Sequence, residues 1–206
     1  MTGIIDYDAG NIGSVAKALA YLGEDVEVTR DSKKLLSADR VILPGVGSFG
    51  QAMEKLREYD LIPVIKELVE KQIPLLGICL GLQLLFESSA ESPGVEGLSL
   101  LPGKIFRIPQ EEGLKIPHMG WNSLTFQNEG RLFEGMEQDA YVYFVHSYYL
   151  KAKEPEIVKA VTEYGTLIHA SVERENVFAC QFHPEKSGQT GLHILKNFMK
   201  LGRGDF

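Results

Sequence analysis

The pattern of apolar positions changes at about residue 100. Before that point, short apolar segments alternate with segments in which apolar residues recur every three or four positions, as Val15, Leu19 and Leu22 do. The first kind is typical of buried strands and the second of amphipathic helices. The pattern predicts strands at residues 3–6, 25–29, 41–43 and 73–78, and helices at 10–22, 52–56 and 62–69. Strands that alternate with helices indicate a parallel sheet covered by helices on both faces.

After about residue 100 the pattern predicts mainly strands. They fall at residues 104–108, 122–126, 140–145, 156–162, 167–172 and 177–182, and a last helix follows at 188–201. No internal repeat, low-complexity stretch or linker separates the two halves. We therefore expect an α/β protein with one domain over residues 1–206, in which the strand-rich half extends the core of the first.

Composition excludes several classes of function. The chain has 44% hydrophobic residues, 24% charged residues and a formal net charge of -7, which is typical of a globular protein. Because Lys and Arg are not clustered, nucleic acid is not an expected partner. The segment Met-Thr-Gly-Ile-Ile-Asp lacks a basic region, and no apolar run approaches the roughly 20 residues that span a bilayer. We expect a cytoplasmic protein that does not enter a membrane.

The sharpest local motif is Gly-Ile-Cys-Leu-Gly at residues 77–81, between a predicted strand and what we interpret as an amphipathic helix. A nucleophile on a tight strand-to-helix turn needs small neighbours, because strand and helix approach closely there. Gly77 and Gly81 meet this need, so the motif predicts Cys79 as a nucleophile. The start of the helix would stabilise a thiolate, and the N–H of Leu80 is the expected oxyanion donor.

The structural alternative for a cysteine at a strand end is a small buried hydrophobic residue. Cys180 fits that alternative, because it lies in the apolar segment Val-Phe-Ala-Cys-Gln-Phe with no glycine turn beside it. The two glycines around Cys79 favour the catalytic interpretation instead. With only two cysteines, a disulfide framework is not expected, and both thiols should be reduced.

A thiol nucleophile needs a base, and the base needs a third group that orients it. His183 follows a predicted strand, Pro184 fixes the turn, and Glu185 comes two residues after the histidine. Strand ends are where α/β sheets bind ligands. We predict that His183 is the base and that Glu185 orients it and stabilises the imidazolium. In isolation, His-Pro-Glu would more often be a surface turn.

The other four histidines are less informative. His169 and His193 are interpreted as structural, because one lies in mid-strand and the other on the last helix. The roles of His118 and His146 stay open. No histidine and carboxylate cluster has the spacing of metal ligands, so neither a metal nor a cofactor is expected.

A glycine-rich turn, Pro-Gly-Val-Gly, follows the third predicted strand at residues 44–47. Such a turn can direct backbone N–H groups at an oxyanion, and Gly45, Val46 and Gly47 are the candidates. A phosphate cradle is an alternative, although the Lys-Ser/Thr ending of a P-loop is missing. A plain strand-to-helix turn is another. We also hypothesise that reorientation of the Gly45–Val46 peptide switches activity.

Together, the Cys79 motif with Gln83 two residues beyond it, the distant His-Pro-Glu and the 44–47 turn resemble the class I glutamine amidotransferases. The resemblance spans nearly the whole chain. It implies an open mixed, mostly parallel sheet flanked by helices, of flavodoxin-like type. It also implies that Cys79 forms a glutamyl thioester, that His183 and Glu185 complete a catalytic triad, and that Gln83 contacts glutamine.

Residues 5–15, 117–122 and 143–148 further resemble the glutaminase subunits of imidazole glycerol phosphate synthases, which act in histidine biosynthesis. That resemblance implies a cyclase subunit as heterodimer partner, which uses the ammonia to form imidazole glycerol phosphate and an aminoimidazole ribonucleotide. It implies that Ser147 and Tyr148 line the glutamine pocket. The residues implied to face the cyclase are Asn11, His118, Met119, Gly120 and Trp121. Without the resemblance, Trp121 would be interpreted as a core residue in a turn.

Three other functions stay open at this point. The chain could be the glutaminase of another pathway, such as anthranilate, aminodeoxychorismate or pyridoxal phosphate synthesis. It could be a stand-alone cysteine hydrolase or peptidase. It could also be a binding module in which Cys79 is only a core thiol. A partner is expected because one domain leaves no obvious room for a second substrate site.

Overall fold

The computed structural model describes residues 1–206. The strands are β1 (Thr2–Ile5), β2 (Val26–Thr29), β3 (Arg40–Leu43), β4 (Leu75–Ile78), β5 (Ser88–Ser89), β6 (Gly103–Arg107), β7 (His118–Phe126), β8 (Ala140–His146), β9 (Tyr148–Ala152), β10 (Val158–Glu163), β11 (Leu167–Arg174) and β12 (Val177–Cys180). The helices are α1 (Ile12–Tyr21), α2 (Ser32–Ser37), α3 (Phe49–Glu58), α4 (Leu61–Glu70), α5 (Leu80–Leu84) and α6 (Gly188–Lys200), with 3₁₀ segments at Arg131–Phe133, Pro155–Ile157 and Pro184–Lys186. No helix has the length and apolar character that crossing a membrane requires.

A nine-stranded open sheet forms the centre of the molecule, in the order β2-β1-β3-β4-β12-β11-β10-β7-β8. The first five strands in this order pair in parallel, and each later pair is antiparallel. Only β11 and β7 therefore run against the other strands. The predicted α/β fold, an open mixed and mostly parallel sheet flanked by helices, is confirmed. Strands β5, β6 and β9 form a separate small sheet.

Successive residues of each central strand point to opposite faces of the sheet, and each face has its own core. Ile4 packs with apolar residues of α1 and α6, whereas its neighbour Ile5 packs with those of α2, α3 and α4. Strands buried on both faces must be apolar at every position. This explains the continuous apolar segments from which the parallel strands were predicted.

Some elements differ from the sequence-based prediction. Helix α2 was not predicted, because only Leu35 of its residues is buried and the helix begins at a polar cap, where Asp31 Oδ1 accepts hydrogen bonds from the N–H groups of Lys33 and Lys34. Strands β5 and β9 were also missed. The prediction of an amphipathic helix after Cys79 was wrong: α5 has five residues and all of them are buried.

Strand β12 carries the second half of the chain into the middle of the sheet. It pairs in parallel with β4 and antiparallel with β11, and Cys180 lies opposite Ile78. The carboxyl ends of β4 and β12 are therefore adjacent. Cys79 follows one of these strands directly, and His183 lies three residues beyond the other.

Helix α5 packs directly on the backbone of β3 and β4, and glycines make this possible. A Cβ atom on Gly81 would lie 1.9 Å from the carbonyl oxygen of Leu43, and one on Gly77 would lie 2.8 Å from the carbonyl carbon of Gly81. Because both neighbours are backbone atoms, neither can move aside without shifting a strand or the helix. The two glycines are thus needed for close approach.

Replacing Gly81 by Ala should destabilise the protein strongly, because the added methyl group collides with a strand carbonyl. We expect the free energy of unfolding to fall by about 3 kcal/mol, the upper range for overpacking. Gly13→Ala is the matched control: no atom lies within 4 Å of its added Cβ, so the change should be neutral or stabilise by under about 1 kcal/mol. Urea unfolding measures both. Equal stability of Gly81→Ala and wild type would contradict the close packing.

Candidate active site

Cys79 occupies a strained turn between β4 and α5. Its backbone has φ 55° and ψ −107°, a region that non-glycine residues rarely adopt, and its N–H donates to the Cys180 carbonyl at 2.8 Å. The residue is 7% exposed. A side chain presented in this way at the end of a central strand has the geometry of a nucleophile elbow.

His183 and Glu185 form a buried ion pair beside this turn. His183 Nδ1 lies 2.8 Å from Glu185 Oε1, and both side chains are almost completely buried. The backbone around His183 is fixed as well, because its N–H donates to the Tyr143 carbonyl at 2.9 Å and its carbonyl accepts from Ser187 Oγ at 2.6 Å. His183 Nε2 has no hydrogen-bond partner within the protein. That nitrogen remains available for proton transfer.

The electrostatic surroundings favour a protonated His183. Burial lowers the pKa of this imidazole, but Cys79 and Glu185 outweigh burial and raise the pKa to about 9. His183 thus holds its proton at neutral pH, as a general acid must. For Cys180 the situation is opposite, since complete burial raises the pKa of its thiol well above the ordinary value and keeps it protonated.

A cleft of about 330 Å³ opens onto Cys79, a size within the usual range for small-molecule sites. Its lining comprises Val46, Gly47, Cys79, Leu80, Gln83, Glu91, Pro117, Val145, His146, Ser147, Tyr148 and His183. The structure thus brings most of the predicted catalytic and pocket residues together. Glu185 lies behind His183, and Gly45 does not line the cleft. The sequence-based reasoning missed Glu91, Pro117 and Val145, and it left His146 open.

Two buried glutamines form a network beside the thiol. Gln181 Nε2 lies 3.7 Å from Cys79 Sγ, and Gln181 Oε1 accepts from Gln83 Nε2 at 3.0 Å. Gln83 Nε2 also donates to the Tyr148 carbonyl at 3.0 Å. Both N–H groups of Gln83 are therefore used within the protein, and only Oε1 is left for a ligand. The sequence-based reasoning missed Gln181. The signal in the sequence is a polar side chain that interrupts the apolar segment before His183.

The 44–47 turn lies beside the elbow, and its first glycine has no free space. A Cβ on Gly45 would lie 2.7 Å from the Tyr7 hydroxyl oxygen and 2.8 Å from Leu80 Cβ. Tyr7 in turn donates a hydrogen bond to the Pro44 carbonyl at 2.7 Å. Packing therefore requires glycine at position 45 whether or not the peptide rotates. The hypothesis of a switch stays a prediction, and Gly45→Ala would not test it cleanly.

The residues predicted to face a partner fall into two groups. Met119 and Trp121 are 62% and 56% exposed, whereas Asn11 and Gly120 are half-buried. His118 is only 3% exposed and cannot present its side chain to a partner. The prediction for His118 was wrong because β7 begins at this residue, four positions earlier than predicted, and alternation turns its side chain inward.

A second groove and two further histidines lie outside the Cys79 cleft. A larger open groove of about 810 Å³, lined by residues between 126 and 138 together with Glu173, shares no residue with the Cys79 cleft and contains neither cysteine nor histidine. His169 accepts a hydrogen bond from the Ala152 N–H, and His193 bonds the Glu134 carbonyl. No group of three or more histidine, cysteine or acidic side chains is placed to hold a metal ion; that the site works without a cofactor stays a prediction.

Comparison with known sequences identifies the relatives of this chain. The family described as glutamine amidotransferase class-I matches residues 3–201. A Moorella thermoacetica protein named imidazole glycerol phosphate synthase subunit HisH is 52% identical over 200 residues, which cover 97% of this chain and 94% of that protein. A Methanocaldococcus jannaschii protein of the same name is 48% identical over 201 residues, covering 98% of this chain and 100% of that protein.

Solved structures share the fold. A crystal structure described as a glutamine amidotransferase matches with a TM-score of 0.75 and 22% identity, covering 96% of this chain and 98% of the other. PurLQS from Thermotoga maritima matches with a TM-score of 0.74 and 20% identity, with 97% of each chain covered. At such low identity these structures establish the architecture alone.

Cys79 should react with an electrophile well ahead of Cys180. A thiol in a cleft beside a protonated imidazole is activated, whereas a fully buried thiol with a raised pKa is not. With limiting iodoacetamide at neutral pH, peptide mass spectrometry should find at least about tenfold more label on Cys79. Preferential labelling of Cys180, or equal labelling of both, would contradict this description of the site.

Replacing Glu185 by Gln should lower the pKa of His183 from about 9. The carboxylate stabilises the imidazolium, so its removal makes the proton easier to lose, by about one pKa unit or more. NMR titration of ¹³C-labelled histidine measures this pKa. Glu137→Gln, which removes the same charge from an exposed position, is the control and should leave the pKa unchanged. An unchanged pKa in Glu185→Gln would exclude Glu185 as a source of the shift.

Proposed function

The chain belongs to the class I glutamine amidotransferase family, and on that premise we propose that it is the glutaminase subunit of an imidazole glycerol phosphate synthase in histidine biosynthesis. The observation that carries the proposal is the identity of about half of all residues, over nearly the full length of both chains, to proteins named as the HisH subunit of that synthase. Solved structures of other glutamine amidotransferases share only 16–22% of residues and favour no other pathway.

The first half of the proposed reaction uses Cys79 and His183. The thiolate attacks the side-chain amide carbon of glutamine and forms a tetrahedral oxyanion. The Leu80 N–H and an N–H from residues 45–47 are the proposed oxyanion donors. The imidazolium then transfers its proton to the amide nitrogen, the carbon–nitrogen bond breaks, and ammonia leaves. A glutamyl thioester on Cys79 remains, and His183 is neutral.

The second half releases glutamate. Neutral His183 takes a proton from water, and the resulting hydroxide attacks the thioester carbon. The carbon–sulfur bond breaks, so that glutamate leaves and the thiolate–imidazolium pair is restored. In both halves Glu185, 2.8 Å from His183 Nδ1, holds the ring in position and stabilises its charged form. We propose Ser147, Tyr148 and Gln83 as the wall against which glutamine binds.

The proposed docking surface for the cyclase subunit is the outer face of the β7–β8 hairpin. Met119, Trp121 and Tyr141 are all more than half exposed there, and Trp121 packs edge-on against Tyr143 with ring centroids 6.1 Å apart. Contiguous apolar surface of this kind is typical of interaction sites. Register places these side chains on one face, since Met119 pairs with Val145 and Trp121 with Tyr143.

The same face leads to the site of ammonia release. Val145 lines the Cys79 cleft, and its carbonyl lies 3.9 Å from Cys79 Sγ. A cyclase docked on the hairpin would thus receive ammonia close to where it forms. We propose that the two subunits form a heterodimer with lyase activity as a whole, that residues 1–206 act as one glutamine amidotransferase domain, and that the complex works in the cytoplasm.

Glutamate release from glutamine tests the proposal. The purified chain should be slow alone and strongly stimulated by an imidazole glycerol phosphate synthase cyclase subunit with its nucleotide substrate. Cys79→Ala should lower the stimulated rate by more than about 10³-fold, because the covalent step is lost. Cys180→Ala, which removes the other buried thiol, is the matched control and should keep most of the rate.

The possible failures distinguish the parts of the proposal. If the cyclase and its substrate leave glutamate release unchanged, the assignment to this synthase is wrong while a glutaminase remains. If Cys79→Ala releases glutamate as fast as wild type, the glutaminase mechanism itself is wrong.

A further inference from the structure

Two buried histidines that the reaction does not use lie at the cleft: His146 lines it, and His118 contacts His146. His118 and His146 are 3% and 6% exposed and stand opposite each other on β7 and β8. His118 Nδ1 lies 3.0 Å from His146 Nε2. Burial lowers the pKa of His118 to about 4 and that of His146 to about 3, so both rings are neutral at neutral pH. Each ring therefore has one N–H donor and one acceptor nitrogen.

The partners of the pair determine which nitrogen carries each proton. His146 Nδ1 lies 2.9 Å from the Tyr148 carbonyl, which only accepts, so Nδ1 carries the hydrogen and Nε2 accepts from His118. His118 Nε2 must then accept, and Asn122 Nδ2 lies 3.4 Å from it. The orientation of that amide is fixed independently, because Asn122 Oδ1 accepts from the Ser123 N–H.

The result is a chain of hydrogen bonds that all point in one direction. Asn122 donates to His118, His118 donates to His146, and His146 donates to the Tyr148 carbonyl. The first ring cannot turn away, because it is stacked between Tyr164 and Phe144 at centroid distances of 3.9 and 4.7 Å. Each polar atom of the two rings has a partner, as buried polar groups require.

This series of hydrogen bonds ends at the Tyr148 carbonyl, on the wall of the cleft. The Tyr148 carbonyl also accepts a hydrogen bond from Gln83 Nε2. Gln83 in turn donates to Gln181 Oε1, and Gln181 Nε2 lies 3.7 Å from Cys79 Sγ. Tyr148 and the preceding Ser147 line the same cleft as Cys79. The position of this carbonyl therefore depends on two donors, one from the elbow helix and one from His146.

We propose that His146 is a positioning residue, which holds the Ser147–Tyr148 wall of the glutamine pocket through its hydrogen bond to the Tyr148 carbonyl. The inference rests on the proposed glutaminase function and deepens it. It predicts an effect on glutamine binding rather than on the reactivity of the thiol. If the rings only filled the core, their loss would lower the stability of the protein and so affect glutamine binding and thiol reactivity alike. Any side chain of the same volume would then substitute for them.

Two amide substitutions at His146 separate these roles. In His146→Asn the amide nitrogen lies where Nδ1 was, so the bond to the Tyr148 carbonyl is kept. In His146→Gln the amide lies where Nε2 was, so the bond to His118 is kept and the carbonyl loses its donor. Both variants remove the imidazole and both remain polar. His169→Gln, at a half-buried histidine outside the cleft, is the matched control.

The measurement is the rate of labelling of Cys79 in the isolated chain, first with 6-diazo-5-oxo-L-norleucine, an electrophilic glutamine analogue, and then with iodoacetamide. For His146→Gln, the analogue concentration at half-maximal rate should rise about tenfold, as expected for a lost buried hydrogen bond. His146→Asn and His169→Gln should stay within about twofold of wild type. Iodoacetamide enters the same cleft but lacks the groups of glutamine that the wall would bind, so it should label all four proteins at similar rates. Urea unfolding midpoints verify that the variants are folded.

Other outcomes overturn the inference. If the Asn and Gln variants behave alike toward the analogue, whether both like wild type or both impaired, the bond to the Tyr148 carbonyl does not position the pocket. If iodoacetamide labelling falls together with analogue labelling, the histidines act on the thiol or the fold. If wild-type Cys79 reacts with iodoacetamide but never with the analogue, even when the cyclase subunit and its nucleotide substrate are present, the proposed glutaminase function is wrong, and this inference falls for that separate reason.

Discussion

The close approach of α5 to the backbone of β3 and β4 is the constraint on which the site depends. Without side chains at Gly77 and Gly81, the turn can bring Cys79 into a positive-φ conformation at the carboxyl end of a central strand. The neighbouring strand, β12, then determines where the imidazole lies, because its register with β4 sets the position of His183. The geometry of the reacting groups is thus an outcome of backbone packing, and the side chains need little freedom of their own.

A second layer of polar groups surrounds these residues and is almost completely satisfied. Gln83, Gln181, His146 and His118 are buried, yet each bonds to another group of the network or to a backbone carbonyl. Buried polar groups are costly unless they are paired, so such a network tolerates few alternative arrangements. At the site itself, His183 Nε2 and Glu185 Oε2 are buried and have no hydrogen-bond partner in the protein. An unpartnered Nε2 is what proton transfer through His183 requires.

The order of the main elements and the residues of the proposed triad could be predicted from the sequence, because both depend on local patterns. Apolar segments between helices predicted the parallel strands, and the glycines around Cys79 predicted the turn. The role of Gln181 could not be predicted, since it contacts Gln83 from 98 residues away. His146 bonds to the carbonyl of nearby Tyr148, but its other partner, His118, lies 28 residues away on another strand. The expectation for His118 came from the resemblance of residues 117–122, which does not say in which direction an individual side chain points. The start of β7 at His118 determines that direction.

The position of β12 has a consequence for the order in which activity arises. This strand is inserted between β4 and β11, so the cysteine and the histidine come from segments about a hundred residues apart that meet only in the assembled sheet. During synthesis the elbow emerges from the ribosome long before residues 177–185 do. A partly made chain therefore carries the thiol of Cys79 without His183 beside it. Under the proposed mechanism such a chain cannot hydrolyse glutamine before the sheet is complete, so that misfolded or truncated chains would not consume glutamine.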